Sequence, residues 1–160
     1  MGKTNDLDQL ILVTGGQTGI DRAVLDFCLE RGISCGGWCP EDRMAEDGPI
    51  DRKYPVRPLP GAGYRERTRA NVKDSEATIV IAPGTLSGGT AYSAEVAGEW
   101  EKPLLVIDTS STTTGEASKL ILGFLFKKRP RTVNFSGPRA SEWEAGYGQC
   151  RAILEKVFGN

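Results

Sequence analysis

Leu10-Ile11-Leu12-Val13-Thr14-Gly15-Gly16-Gln17-Thr18-Gly19-Ile20-Asp21 holds the change of periodicity that decides the fold. Leu10 to Thr14 is a short continuous apolar run, the pattern of a strand buried on both faces. From Ile20 the spacing becomes helical: Ile20, Val24, Phe27, Cys28 and Arg31 share a face, and Gly32 stops the helix. The glycines between let the backbone turn sharply and approach a ligand with no Cβ in the way. A helix starting there offers unpaired N–H groups and a positive dipole end, which suits a phosphate, with Thr18 as a hydroxyl donor. A plain strand-to-helix turn with a packing glycine is the competing explanation. No Gly-Lys-Ser/Thr follows, so this is not a Walker A loop. The spacing is G-G-x-x-G, and Gly36-Gly37-Trp38-Cys39 closes the next strand without an acid for a ribose hydroxyl, which disfavours NAD. Asp21 in the first helical turn suits either capping or ligand contact.

Outward from this unit, strands and helices alternate. Ile33 to Trp38 is a second strand candidate, weakened by Gly36-Gly37. Residues 39–63 carry Pro40, Pro49, Pro55, Pro58 and Pro60 and are expected to form a long ordered loop or flap. A basic helix from Tyr64 to Lys73 precedes the strand Ala77–Ala82, and a helix from Gly88 to about Trp100 precedes the strand Pro103–Ile107. A helix from Glu116 to Lys127, the strand Arg131–Phe135 and a last helix from about Ser141 to Phe158 complete the order. This alternation predicts an α/β, Rossmann-like three-layer sandwich on a mostly parallel sheet of five to seven strands. Residues 1–9 are expected to be a flexible arm and 10–160 a single domain. Ligands of such sheets sit beyond the carboxyl ends of the strands, so loops 14–19, 37–54, 83–90, 108–115 and 136–140 matter most.

Composition narrows the chemistry. With 39% hydrophobic and 26% charged residues, the chain has the make-up of an ordinary globular domain. A net charge of −1 supplies no field for nucleic acid or an anionic membrane, so anion selectivity must be local. No apolar run reaches the roughly 18 residues of a membrane span, and the first ten residues lack the apolar stretch of a signal peptide. Cys28, Cys35, Cys39 and Cys150 are irregularly spaced and fit reduced thiols in a cytoplasmic protein. The chain has no histidine, which removes His-based triads and nearly every familiar zinc site, and no metal site is expected.

A second glycine pair repeats the device of the first. The strand ending at Ala82 runs into Pro83-Gly84-Thr85-Leu86-Ser87-Gly88-Gly89-Thr90, where a helix begins. Two such turns on one sheet edge predict a clamp on one ligand from both sides. On the basic helix Arg65 and Arg69 share a face at i, i+4, and Arg67 points elsewhere. Asn71 and Val72 are the expected inward positions.

The stretches Gly15–Ala23, Gly36–Pro40, Ala45–Pro49, Arg67-Thr68 with Asn71-Val72, Asp74-Ser75, Ser87–Thr90 and Asn134–Arg139 together resemble the molybdenum (cofactor) carrier family, from about residue 10 to 158. That resemblance implies a Rossmann-like fold of the wider lysine-decarboxylase-like and DNA-processing-protein group. It also implies a homo-oligomer, dimer or tetramer, that carries an anionic pterin, the molybdenum cofactor (molybdopterin), or a related nucleotide. On this basis Gly15, Gly16, Gln17, Thr18, Gly19, Arg67, Asn71, Gly88, Gly89 and Thr90 are expected to hold the ligand and its phosphate. Asp21, Trp38 and Cys39 are expected beside it, Trp38 covering the ring and Cys39 near a metal-dithiolene centre.

The cytokinin-activating phosphoribohydrolases of the same group resemble this chain at Glu66-Arg67 and Ser75, but their next Lys is Thr68 here. Their Pro-Gly-Gly-x-Gly-Thr-x-x-Glu turn is not reproduced, because Ser93 stands where the acid belongs. Glu95, two residues on, lies about 200° round the helix. An alternative to the carrier is therefore a nucleoside-monophosphate N-glycosidase using Arg67 and an acid among Glu46, Asp47 and Glu95. The segment Lys119–Phe126, apolar almost all round, is the expected oligomer contact.

Overall fold

Ile11–Val13 (β1) begins a parallel sheet, and the computed structural model describes residues 6–159 of the chain. Of the expected arm, residues 1–5 lie outside the described residues. Asp6–Gln9 form a single 3-10 turn, with Leu7 packed on the core. After β1 come Ile20–Arg31 (α1), Cys35–Cys39 (β2), Met44–Ala45 (β3), Gly48–Pro49 (β4), Val56–Pro58 (β5) and Tyr64–Asp74 (α2). Ala77–Ala82 (β6), Gly88–Glu99 (α3), Leu104–Asp108 (β7), Thr114–Lys128 (α4), Thr132–Ser136 (β8) and Gly146–Phe158 (α5) follow.

The main sheet has six strands in the order β5-β2-β1-β8-β6-β7, all parallel, so every carboxyl end points to one edge. One helical layer is α1, α5 and α4, and the other is α2 with α3. Leu12, Ile79, Ile81, Val133 and Phe135 meet Val24, Phe27, Ile121, Leu125 and Leu154 in the principal core. Val72, Val96 and Ala97 form a small cluster between α2 and α3. β6 is buried at every residue, as a continuous apolar run requires of an inner strand. α1 stops where expected: Gly32 turns left-handed at φ 68° and its amide bonds the Cys28 carbonyl.

Two expectations change. The 39–63 segment is more ordered than a loop, since β3 and β4 pair as a small hairpin and β5 adds a parallel edge strand beside β2. Proline conceals β5 in the sequence, yet an edge strand tolerates Pro58 because one side of it needs no ladder donor. Ala45, Ile50, Tyr54 and Val56 pack on Leu25 and Cys39 beneath this flap. The Arg43 guanidinium ties it together, donating to the carbonyls of Ile50, Val56, Asp51 and Tyr54. The last helix starts at Gly146, with the residues after Arg139 forming turns. In α4 the residues Ala117, Ile121 and Leu125 face the core, while Leu120 and Phe126 are exposed at 48% and 49%.

Candidate functional site

A cavity of 540 Å³ opens beyond the carboxyl ends of the strands, between the amino ends of α2 and α3. Gln17 and Asp21 line it from the first glycine turn, and Ser87, Gly88, Gly89 and Thr90 from the second. Tyr64, Arg65, Arg67 and Thr68 come from α2, Tyr92 from α3, and Ser136, Gly137, Arg139 and Glu142 from the chain after β8. The two turns and Arg67 are thus brought to one space. Gly15, Gly16, Thr18 and Gly19 stand behind its wall.

Three amides of the first turn are taken by side chains of the same segment. The Gly16 amide faces Thr14 Oγ1 at 3.4 Å, the Gln17 amide donates to Asp21 Oδ2 at 3.2 Å, and the Thr18 amide donates to Gln17 Oε1 at 3.1 Å. The group seated in this turn is therefore the Asp21 carboxyl. Burial raises the Asp21 pKa, the largest influence on it, against the opposing pull of Arg67 and of the Gln17 and Gly15 amides. Gln17 Oε1 also accepts from the Glu46 amide at 2.9 Å, so its NH₂ is the end left to donate towards the cavity.

The second turn is open. Ser87 enters α3 in extended backbone and supplies no side-chain cap, leaving the amides of its first turn exposed at the positive end of the helix dipole. A Cβ on Gly88 or Gly89 would meet nothing within 4 Å. Behind them Ser93 Oγ donates to the Gly89 carbonyl at 3.2 Å and lies 2.7 Å from Ser136 Oγ.

Arg67 faces this open turn across the cavity. Its side chain is 12% exposed, with Nη1 donating to Thr68 Oγ1 at 2.9 Å and lying 3.9 Å from Asp21 Oδ2. Its Nε is buried with no hydrogen-bond partner, an unmet donor in a polar site. Gly15 lets the guanidinium lie this deep, because a Cβ there would stand 2.3 Å from Nη1. Of the other cations, Arg139 is paired with Glu142 at 2.8 Å and Glu46 at 3.5 Å. Arg65 has no carboxylate partner among the described residues and stacks over the Tyr92 ring, 3.8 Å from its centroid.

Several expected residues serve the scaffold instead. Trp38 does not reach the cavity: its indole N–H donates to Asp74 at 2.9 Å and Arg57 lies over its ring. It lines a separate cleft with Asn71, whose amide bonds the Trp38 backbone N–H and carbonyl at 2.8 and 2.9 Å. Cys39 is fully buried among Leu25, Ile50 and Val56, so no thiol lines the cavity. Thr18 donates to Glu46 at 2.5 Å and accepts from the Ala140 amide at 3.0 Å, which fastens the flap to the loop after β8. Glu46 also accepts from the Ser141 hydroxyl and amide, and these bonds with Thr18 hold its pKa down. Asp47 pairs with Arg22 at 3.0 Å, and Glu95 is exposed outside the cavity. None of the three acids weighed for glycosidic cleavage therefore lines the site; its carboxylates are Asp21 and Glu142.

The lining residues outside the expected set are Tyr64, Arg65, Thr68, Ser87, Tyr92, Ser136, Gly137, Arg139 and Glu142. The loop after a strand's carboxyl end was the signal for Ser136, Gly137 and Arg139, while Tyr64, Tyr92 and Glu142 had none. Among the described residues no group of three or more acidic, Cys or His side chains is arranged to hold a metal. None of the described helices is long and apolar enough to cross a membrane.

Comparison with known proteins agrees with this architecture. The sequence model of the circularly permutated YpsA SLOG family matches residues 12–158. A crystal structure of a proposed molybdenum carrier protein from Syntrophus aciditrophicus SB superposes with a TM-score of 0.91 at 36% identity, covering 92% of this chain and 94% of that one. No curated protein matches the chain.

Proposed function

The chain belongs to the circularly permutated YpsA SLOG family, and from that premise we propose that it binds and carries a phosphate-bearing small ligand. One observation carries this most directly: the uncapped α3 turn at Gly88-Gly89-Thr90 lines one cavity with a half-buried Arg67 whose Nε lacks a partner. An anion between them meets backbone donors and a guanidinium together, the charge-assisted hydrogen bonds that hold a phosphate most firmly. The first turn's part is to seat Asp21 and to support Arg67 through Gly15.

The cargo we propose is the molybdenum cofactor or a related nucleotide. The named carrier function of the Syntrophus protein supports that choice, as does a 540 Å³ cavity with room for a ring as well as a phosphate. With no thiol in the lining, a molybdopterin here is held by its phosphate and ring, leaving the dithiolene and its metal to be carried along. The protein we picture is cytoplasmic, with its four cysteines free, and self-associates through the exposed Leu120 and Phe126 of α4.

Native mass spectrometry of freshly purified protein tests the reading, alongside calorimetry with guanosine 5′-monophosphate. A bound phosphorylated species, or affinity for the monophosphate, that is lost in Arg67→Ala is the expected result. Absence of both overturns it. Release of free guanine from the monophosphate, abolished by the same substitution, replaces the carrier by a hydrolase.

A further inference from the structure

The cavity has two chemically distinct ends. Around Asp21, Gln17, Arg67 and Ser136 it is polar and hydrogen-bonded, as described above. Towards the α2–α3 seam its wall is aromatic. Tyr64 opens α2, 43% exposed, with Arg67 Cζ 5.8 Å from its ring centroid. Tyr92 stands one turn into α3, packed on the Val72, Val96 and Ala97 cluster. Arg65 crosses from α2 to lie on the Tyr92 ring at 3.8 Å.

Two features make this stack more than a solvated arginine. Arg65 forms no ion pair among the described residues, although Glu66 and Glu99 lie on the same two helices and Glu99 is taken by Arg69 at 3.0 Å. A long cation held against an aromatic ring without a carboxylate is positioned by the ring itself. The face of a planar guanidinium turned away from that ring is a platform for a second flat π-system. Tyr92 also comes two residues after Thr90 of the Gly88-Gly89-Thr90 turn, so the platform begins within one helical turn of the open amides.

We propose that Tyr92 and Arg65, with Tyr64 at the rim, form the subsite that selects a ligand bearing a planar heteroaromatic ring, and that they replace Trp38 in that role. The proposal rests on the phosphate-binding reading above and adds its specificity: the phosphate alone does not define the ligand. Pterins and purines both satisfy the geometry, since each offers a flat π face to the outer side of the guanidinium. Stacking on such a platform strengthens binding on the order of tenfold.

Calorimetric titration with guanosine 5′-monophosphate and with ribose 5-phosphate, which share the phosphate and sugar and differ in the ring, tests it. In the native protein the nucleotide binds on the order of tenfold more tightly. Tyr92→Leu, which keeps apolar bulk against Val96, and Arg65→Met each collapse that ratio towards unity while ribose 5-phosphate affinity moves far less. Thermal melting of both variants near the native midpoint shows that the fold is kept. Equal affinity of the two probes in the native protein overturns the ring subsite and leaves the phosphate site standing. A ratio that persists in both variants places the ring elsewhere and also overturns it. Failure of both probes to bind overturns the two proposals together.

Discussion

The guanidinium of Arg67 rests against Gly15 so closely that a methyl group on the glycine would stand 2.3 Å from Nη1 and 2.5 Å from Cζ. The glycine at the end of β1 is thus a bed for a cation supplied by α2, roughly fifty residues later in the chain. Gly15→Ala is expected to push the guanidinium out of line while leaving the backbone turn intact. Loss of one charge-assisted hydrogen bond, about 1.5–3 kcal/mol, weakens guanosine 5′-monophosphate binding at least tenfold. Calorimetry reads the affinity, and an unchanged value places the phosphate away from Arg67.

The two glycine turns are expected to fail differently. Gly89 has open space where its Cβ would be, so Gly89→Asp folds and sets a carboxylate at the α3 amides, abolishing phosphate affinity. Gly16 has φ +82°, and a Cβ there would stand 3.1 Å from Ile50 Cδ1. Gly16→Asp therefore strains the turn and loosens the flap. Melting curves with binding isotherms separate the two: Gly89→Asp loses binding alone, Gly16→Asp loses stability as well.

Asp21 makes stability depend on pH with a definite sign. Its folded pKa is raised by burial, so its favourable contribution is complete below the unfolded value, about 4, and is lost as pH rises through the folded value. Asp21→Asn is expected to gain on the native protein as pH rises above about 4. Urea denaturation at several pH values checks this. Glu46 and Asp47, whose values are lowered, give the opposite slope in both proteins and cancel in the difference. A pH-independent difference would falsify the assignment.

Arg43 satisfies four carbonyls of the flap from one guanidinium. Arg43→Met leaves those carbonyls without their donor and is expected to cost about 3 kcal/mol. Hydrogen exchange should localise the loss to residues 43–58. Protection unchanged there would show that the hairpin and β5 hold the flap by themselves.

Much of this was legible from periodicity. α1 ends on its glycine, β6 matches its apolar run residue for residue, and two glycine turns do share one sheet edge. Which turn keeps its amides open was not legible. Spacing marks a turn, but only the folded arrangement shows that Thr14, Gln17 and Asp21 side chains already occupy three of the first one's amides. Trp38 was misplaced for a similar reason: Gly36 and Gly37 carry no side chains, so β2 shows no alternation to say which face Trp38 takes. Tyr92 and Arg65 belong to different helices, and the sequence of neither announces the other.

In α4 the apolar residues divide between the core and solvent, with Leu120 and Phe126 outside. Sedimentation at micromolar concentration is expected to show a dimer or larger species that Leu120→Glu with Phe126→Glu converts to monomer. A monomeric native protein would remove self-association from the account.

The place of β8 bears on how the chain reaches its folded state at all. β1, β2 and β5 form one half-sheet, β6 and β7 another, and only Thr132–Ser136 pairs with both. A ribosome emits the two halves first, each with a bare inner edge of the kind that recruits foreign strands. Their union waits for one of the last segments to be made. Asp21 hangs from one half and Tyr92 from the other, so the cavity is incomplete until β8 joins them, and truncation ahead of β8 should leave aggregation-prone fragments in place of a folded domain with a weaker site.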